Sequence, residues 1–247
     1  MRDALKQNRF RLFCQPIIEL SGPNGPPRRC NELLIRLLDA EGCLVLRKGF
    51  IPAAERYGLM SANDRWVIQS AFRAFTESLG ASEGVDIAIN LSGDSLNDEA
   101  FPEFVLKQFD RFSVPPGRVC FEITETAAIH NLDHAIAFIT EVKRRGSRFA
   151  LDDFSSGLSS FKYLRALPVG YLKIDGSFVQ NMTDDPRDKA LVAAINEVGH
   201  ALGISTIAEY AHSTAIVNRL RRLGVDCAQG HALGAPMPLE HMLLEPD

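Results

Sequence analysis

Eight short apolar runs recur along this 247-residue chain, each bounded by Gly, Pro, Asp or Ser, with amphipathic stretches between most of them. The runs are RLFCQPI from Arg11, NELLIRLL from Asn31, VDIAINLS from Val85, VCFEITET from Val119, RFALDDF from Arg148, YLKIDG from Tyr171, ISTIAEY from Ile204 and CAQGHALG from Cys227. Their lengths and boundaries predict buried strands. The spacing of Trp66, Val67, Ser70, Ala71 and Ala74 predicts a helix over Asn63–Leu79. Helices over Asn131–Arg145 and Pro186–Ala201 follow in the same way, with Asp133 and Asp185 near their starts. Gly146, Gly203 and Gly224 stand just past helix ends. Repeated strand–helix units imply parallel strands joined by crossover helices.

Eight strands at this length favour a closed barrel over an open doubly wound sheet, and no G-x-G-x-x-G follows the early strands. The expected fold class is therefore α/β, a TIM-type (β/α)8 barrel. The loop SGPNGPPRR from Ser21 is short enough for a hairpin, so the first strand can run antiparallel to the second. No linker divides the chain, and residues 1–247 read as a single barrel domain. The opening MRDALKQNRF reads like the last turn of a helix, as in a domain belonging to a longer protein.

Charge and cysteine usage narrow the function classes. Lys and Arg number 27 against 31 Asp and Glu, a formal charge of −4. A mildly acidic chain has no general attraction to DNA or to an anionic membrane surface, though a locally basic cleft can still hold a small phosphorylated ligand. The five cysteines, Cys14, Cys30, Cys43, Cys120 and Cys227, are odd in number and form no C-x-x-C pair. That argues against a disulfide framework or structural zinc and suits a reducing, cytoplasmic setting. No apolar run approaches the ~18 residues of a membrane span. The start of the chain lacks a signal-peptide core.

What sets the chain apart is how many strands carry a carboxylate. Successive strand residues face opposite sides, so Glu32 shares a face with Arg36, Glu122 with Thr124, and Lys173 with Asp175. Asn90, Asp152, Asp153 and Glu209 lie at or near the ends of their runs, and Gln229 lies in the last. In a parallel barrel the C-terminal strand ends converge on one mouth, where active sites are found. If Glu32, Glu122, Asp152, Asp153, Asp175 and Glu209 all face it, they bring six negative charges. Arg36 and Lys173 return two, and two divalent cations would cancel the remainder. The all-oxygen donors, with Asn90 as a neutral member, suit Mg2+ or Mn2+ rather than zinc. Two such ions close together are the standard arrangement for phosphodiester cleavage. A strand-end cap or a rim ion pair remains the simpler reading of any one of these residues taken alone.

The same residues carry a family resemblance. QPI at Gln15, ELLIR at Glu32, FIPAAE at Phe50, NLS at Asn90, EITE at Glu122, DDF at Asp152, LKID at Leu172, AE at Glu209 and QG at Gln229 follow one another from end to end. In that order they resemble the EAL domain, the bacterial cyclic di-GMP phosphodiesterase module. The resemblance implies a modified (β/α)8 barrel with an antiparallel first strand. It implies that Glu32, Asn90, Glu122 and Asp152 hold a first Mg2+ or Mn2+, with Asp152 bridging to a second ion near Asp153 and Glu209. Lys173 would meet the bridging water or the scissile phosphate, with Asp175 supporting it. Gln229 would line the site, and Gln15 and Arg36 would meet phosphate and the guanine end of the ligand. Glu125, on the strand face opposite Glu122, would hold the loop after DDF. Hydrolysis would then rest on Glu32, Asp153, Lys173 and Glu209 and would yield linear 5′-pGpG. A homodimer, and fusion to a sensory or GGDEF domain in a longer protein, are further implications.

The chain departs from the family pattern in places. EAL reads ELL at Leu33, and DDFGTGYSS reads DDFSSGLSS, with Ser155, Ser156 and Leu158 at the changed positions. KIDRSF reads KIDGSF at Gly176, AEGVET reads AEYAHS with His212, and QGY reads QGH at His231. None of these changes removes an implied metal ligand, so a metal-dependent cyclic di-GMP phosphodiesterase is the expected function. The altered loop motivates an alternative, a catalytically silent EAL domain that acts as a cyclic di-GMP receptor or a protein-interaction module. From the barrel pattern alone, a hydrolase of another phosphoester is the third reading.

Overall fold

The computed structural model describes residues 4, 7, 9–20, 29–46, 49–79, 85–154 and 160–242. Ser155, Ser156 and Leu158 lie outside the described residues, as do most of the first eight residues and the loop from Ser21 to residue 28. The strands are β1 (Phe10–Glu19), β2 (Arg29–Leu38), β3 (Leu44–Val45), β4 (Val85–Leu91), β5 (Val119–Thr124), β6 (Arg148–Phe154), β7 (Tyr171–Ile174), β8 (Ser205–Ala208), β9 (Cys227–Gln229) and β10 (Met237–Pro238). Eight of them close into a ring in the order β1-β9-β8-β7-β6-β5-β4-β2 and back to β1. β2 and β4 to β9 run parallel, while β1 is antiparallel to both neighbours, β2 and β9. The antiparallel first strand is as expected. β3 and β10 extend the sheet beyond the ring, and at two residues each they are too short to show an alternation in sequence.

Alternation sorts the residues of the ring. Ile87, Ile89, Phe121, Ile123, Phe149, Leu151, Leu172 and Ile174 are buried in the large outer core under the helices. There Phe121 and Phe149 rings lie 5.6 Å apart, and Phe149 meets Phe138 of the helix Leu132–Lys143 edge-on at 5.8 Å. The small inward residues Ala88, Cys120 and Ala150 form a separate cluster with Ile17 and Ile207. This apolar layer fills the barrel interior as a packed core rather than a pore.

Local chemistry sets where elements stop. VCFEITET ends as a strand at Thr124, whose Oγ1 accepts from Ala127 N at 3.3 Å and caps the helix Glu125–His130. Glu125 therefore stands in the first turn of a helix, not on a strand face opposite Glu122. CAQGHALG is strand only over Cys227–Gln229; the next residue, Gly230, packs against backbone, where a Cβ would fall 2.3 Å from Ala211 N. The predicted helices form over Met60–Ala74, Leu132–Lys143 and Pro186–Ala201, the last capped by Asp185 through Arg187 N. A further helix, Phe101–Phe112, buries Phe101, Val105 and Phe109 on one stripe between β4 and β5. Among the described residues, no helix is long and apolar enough to cross a membrane.

Candidate active site

The inward residues above the apolar layer are polar, and they converge on one ammonium. Lys173 on β7 has a fully buried side chain with Nζ 2.8 Å from Glu122, 3.0 Å from Glu209, 3.2 Å from Asp152 and 3.5 Å from Glu32. Glu32 Oε1 accepts from Asn90 Nδ2 at 2.6 Å, and its Oε2 accepts from Gln229 Nε2 at 2.7 Å. Gln15 pairs in register with Glu32 across β1 and β2, accepts from Gln229 at 3.3 Å and donates to Gly234 O at 3.0 Å. Seven strands and the residue just beyond β8 thus supply one connected polar cluster.

Asp153 joins it by a device that alternation alone forbids. Leu151 pairs with Leu172 and Phe154 with Ile174, so β6 spends one residue more than β7 over the same span. This is a β-bulge. Asp153 takes φ +54 within it, and its N–H donates to Asp152 Oδ1 at 3.0 Å. The bulge turns two consecutive carboxylates to the same side. Asp152, Asp153 and Glu209 each offer an oxygen, all within 4.8 Å of one another.

Electrostatics follow from this packing. Burial alone would push the Lys173 ammonium down, but Asp152, Glu122, Glu32 and Glu209 together hold it well above its ordinary value. Burial drives Glu122 well above the usual carboxylate range; Lys173 opposes this, and Glu32 and Asp152 add to it. Burial likewise pushes Glu209 up to about 7, against the pull of Lys173. Five carboxylates around one ammonium leave four negative charges when all are ionised.

These residues fit hard divalent cations. Glu122 Oε1 and Gln229 Oε1 are buried without a hydrogen-bond partner, two acceptors that a cation would satisfy. The atoms available to a cation are carboxylate and amide oxygens, since the Asn90 and Gln229 amide nitrogens donate to Glu32; an all-oxygen set suits a hard divalent cation rather than zinc.

Other expected site residues stand apart from the ammonium. Asp175 follows the end of β7 and caps the short helix Gly176–Val179, accepting from Ser177 N at 2.7 Å. Arg36 lies on the Glu32 face of β2, four residues further along; its Nη1 donates to Ile35 O at 2.9 Å, and its guanidinium stands 5.5 Å from the Phe13 ring. The local balance of four negative charges therefore holds without Asp175 and Arg36, which cancel each other. His231 is exposed. Glu125 is buried at its helix start, and the loop it was expected to hold lies outside the described residues.

A cavity of about 560 Å3 opens beside Asn90, lined by Leu33, Ile51, Asn63, Asp64 and Thr124 among others. Asn63 is 2% exposed and its Oδ1 has no partner. Asp64 Oδ2 accepts from Ser92 N, Ser92 Oγ and Ser95 Oγ at 2.6–2.8 Å, pinning the turn two residues past Asn90. Sequence reasoning passed over this pair. The signal was available, because Asn63 and Asp64 precede Val67 and Ile68 by four residues on the buried stripe of their helix.

The EAL domain profile matches residues 1–236. The chain is 41% identical over 236 residues to the cyclic di-GMP phosphodiesterase PdeB of Shewanella oneidensis, a match covering 96% of this chain and 27% of that protein. It is 31% identical over 245 residues to the cyclic di-GMP phosphodiesterase PdeF of Escherichia coli, covering 99% and 32%. The chain thus spans about a third or less of the length of these curated relatives. Among solved structures, the PaMucR phosphodiesterase in a c-di-GMP complex superposes with a TM-score of 0.89 at 33% identity, over 98% of this chain and 97% of that one. The FimX EAL domain of Pseudomonas aeruginosa bound to c-di-GMP gives 0.88 at 28% identity, over 95% and 93%.

Proposed function

This chain belongs to the EAL domain family, and on that footing we propose that it is a divalent-cation-dependent phosphodiesterase that opens cyclic di-GMP to linear 5′-pGpG. The observation that carries this reading is the Lys173 ammonium enclosed by four carboxylates at the barrel mouth, with Asp153 beside them. Left to itself, such a site repels a doubly anionic dinucleotide. Two divalent cations would reverse that. When bound, they supply Lewis acidity, lowering the pKa of a water and offsetting charge on the phosphoryl oxygens.

The chain's own residues do the rest. Glu32, Asn90, Glu122 and Asp152 are read as holding one ion, and Asp152, Asp153 and Glu209 as surrounding the other. Asn90 and Gln229 fix the rotamer of Glu32 through its two oxygens. Lys173, its ammonium held charged by the surrounding carboxylates, gives hydrogen bonds from a fixed point to the water or to the phosphate, and Glu209 places its carboxylate beside Lys173 and Asp152. Gln15 and Arg36 are read as contacts to the ligand at the β1–β2 side. Asp175 supports the site by capping the turn after β7, and Glu125, buried at the start of the helix after β5, is read as holding the loop after DDF. The cavity beside Asn90 has the size and the unpaired acceptor for one nucleobase with N–H donors. In the wider reading, this barrel is the phosphodiesterase unit of a longer cytoplasmic or membrane-anchored signalling protein and works as a homodimer.

Incubation of the purified chain with cyclic di-GMP and Mg2+ or Mn2+, followed by chromatography, is expected to give pGpG. Glu32→Ala should remove the product while leaving the circular dichroism spectrum intact. Saturable nucleotide binding without product in either metal would instead select the receptor reading, and no binding at all would point to another phosphoester. For the cavity, Asn63→Leu is expected to raise KM about tenfold or more while kcat holds within a few-fold.

A further inference from the structure

Two departures from the family pattern meet in space. Gly176 follows Asp175 where the pattern has Arg, and Tyr210 follows Glu209 where it has Gly. The Tyr210 ring lies on Gly176: a Cβ there would fall 2.0 Å from Tyr210 Cδ2 and 2.6 Å from its Cγ. Tyr210 also takes φ +53, in the left-handed region that favours glycine.

The hydrogen bonds on either side explain why the chain needs that conformation. Glu209 N donates to Ile174 O on β7 at 3.3 Å, and Ala211 N donates to Gln229 O on β9 at 2.9 Å. In an extended strand the N–H groups of residues two apart point to the same side. These two can reach opposite neighbours only if residue 210 leaves the extended region. A glycine would do so at little steric cost; a tyrosine must be held there. The residue is 63% exposed, and its contact on the protein side is the edge from Cβ to Cδ2 that lies against Gly176. On the other side Ala211 is pressed against Gly230, where a Cβ would fall 2.3 Å from Ala211 N. The loop is clamped from both flanks, and the residue just before the kink is Glu209, whose carboxylate lies 3.0 Å from Lys173.

We propose that Tyr210 and Gly176 act as a matched pair that positions Glu209 in the carboxylate cluster. Tyr210 is a positioning residue, and its effect rests on the reading of that cluster as a divalent-cation site. A side chain at residue 176 must lift the ring, release the kink and let Glu209 drift.

The test reads Mn2+ affinity of the purified chain by calorimetry without nucleotide, beside thermal unfolding and turnover. Gly176→Ala is expected to weaken Mn2+ binding about tenfold or more, and to raise the Mn2+ needed for half-maximal turnover by a similar factor, with KM for the nucleotide nearly unchanged. The double variant Gly176→Ala with Tyr210→Gly has neither clash nor strained tyrosine and is expected to recover most of the affinity, even if the single variant folds poorly. Tyr210→Phe keeps the ring and should bind Mn2+ like the wild type. Wild-type affinity in Gly176→Ala, a double variant no better than the single, or a wild-type chain that binds no Mn2+ would each overturn the proposal. So would a lower melting temperature with unchanged Mn2+ affinity, the mark of a merely structural contact. Failure of the phosphodiesterase reading has a different sign: no pGpG from a wild-type chain that binds Mn2+ normally.

Discussion

Replacing Lys173 with Met is expected to cost both turnover and fold stability. Met keeps the length of the stem and removes the charge, leaving Glu32, Glu122, Asp152 and Glu209 to face one another without the ammonium between them. Removing one partner from a buried ionic network costs on the order of 3–5 kcal/mol. Part of that is recovered when the carboxylates take up protons. Lys173 holds Glu122 and Glu209 down, so its loss raises them further above their unfolded values. An acid whose folded pKa exceeds its unfolded one binds more protons when folded, so stability falls as pH rises through the interval between the two. The loss should therefore be larger at about pH 8 than at about pH 5, and Mn2+ should return part of it. Urea unfolding at the two pH values, with chelator and then with Mn2+, measures all three effects. Turnover should fall about a thousandfold or more, because a preorganised donor at the reacting centre is gone. An unchanged urea midpoint at the higher pH without divalent ions would mean that the ammonium does not hold the cluster together.

How much of this cluster was legible depended on whether regular alternation applied. Glu32, Glu122 and Lys173 sit mid-strand, and period-two spacing alone turns them inward. Asp153 is different. Alternation puts it opposite Asp152, and only the one-residue bulge between Leu151 and Phe154 brings both carboxylates to the mouth. Nothing in RFALDDF announces that bulge without the neighbouring strand. Asp175 failed in the other direction. Spacing places it on the Lys173 face, but the strand has ended at Ile174, and Asp-Gly-Ser is a helix-start signature read as strand. Glu125 was misplaced for the same reason, by the cap at Thr124. The closed order of the barrel was legible because eight strands, most of them joined by helices, leave few alternatives. The contact of Tyr210 with Gly176 was not, because it joins a helix start and a loop 34 residues apart, and neither carries a local signal.

Glu209→Gln is expected to separate stability from activity in the opposite sense. Burial lifts Glu209 from an ordinary 4.5 to about 7, so its ionised form is a net cost to the folded chain. At ~1.4 kcal/mol per pKa unit that cost is on the order of 3 kcal/mol once the group is fully ionised. Below the unfolded pKa both states hold the proton, and the substitution changes little. Between 4.5 and about 7 the folded chain keeps a proton that the unfolded chain has released, so wild-type stability declines as pH rises. Gln is neutral throughout and escapes this decline. With chelator present, the variant should match the wild type near pH 4 and exceed it by roughly 2–3 kcal/mol near pH 8. Divalent ions should invert the order. They bind the folded wild type and stabilise it by mass action, while the variant lacks one of their carboxylates and gains less. Turnover should fall about a thousandfold, since a carboxylate donor to the cation is lost. Urea midpoints with and without Mn2+, at both pH values, test for the crossing. A variant no more stable than the wild type near pH 8 in chelator would move the cost of the buried charge to Glu122. A crossing would mean that the barrel mouth is kept unstable in the free protein by the charge that lets it bind metal, the trade-off expected where function requires like charges to be buried together.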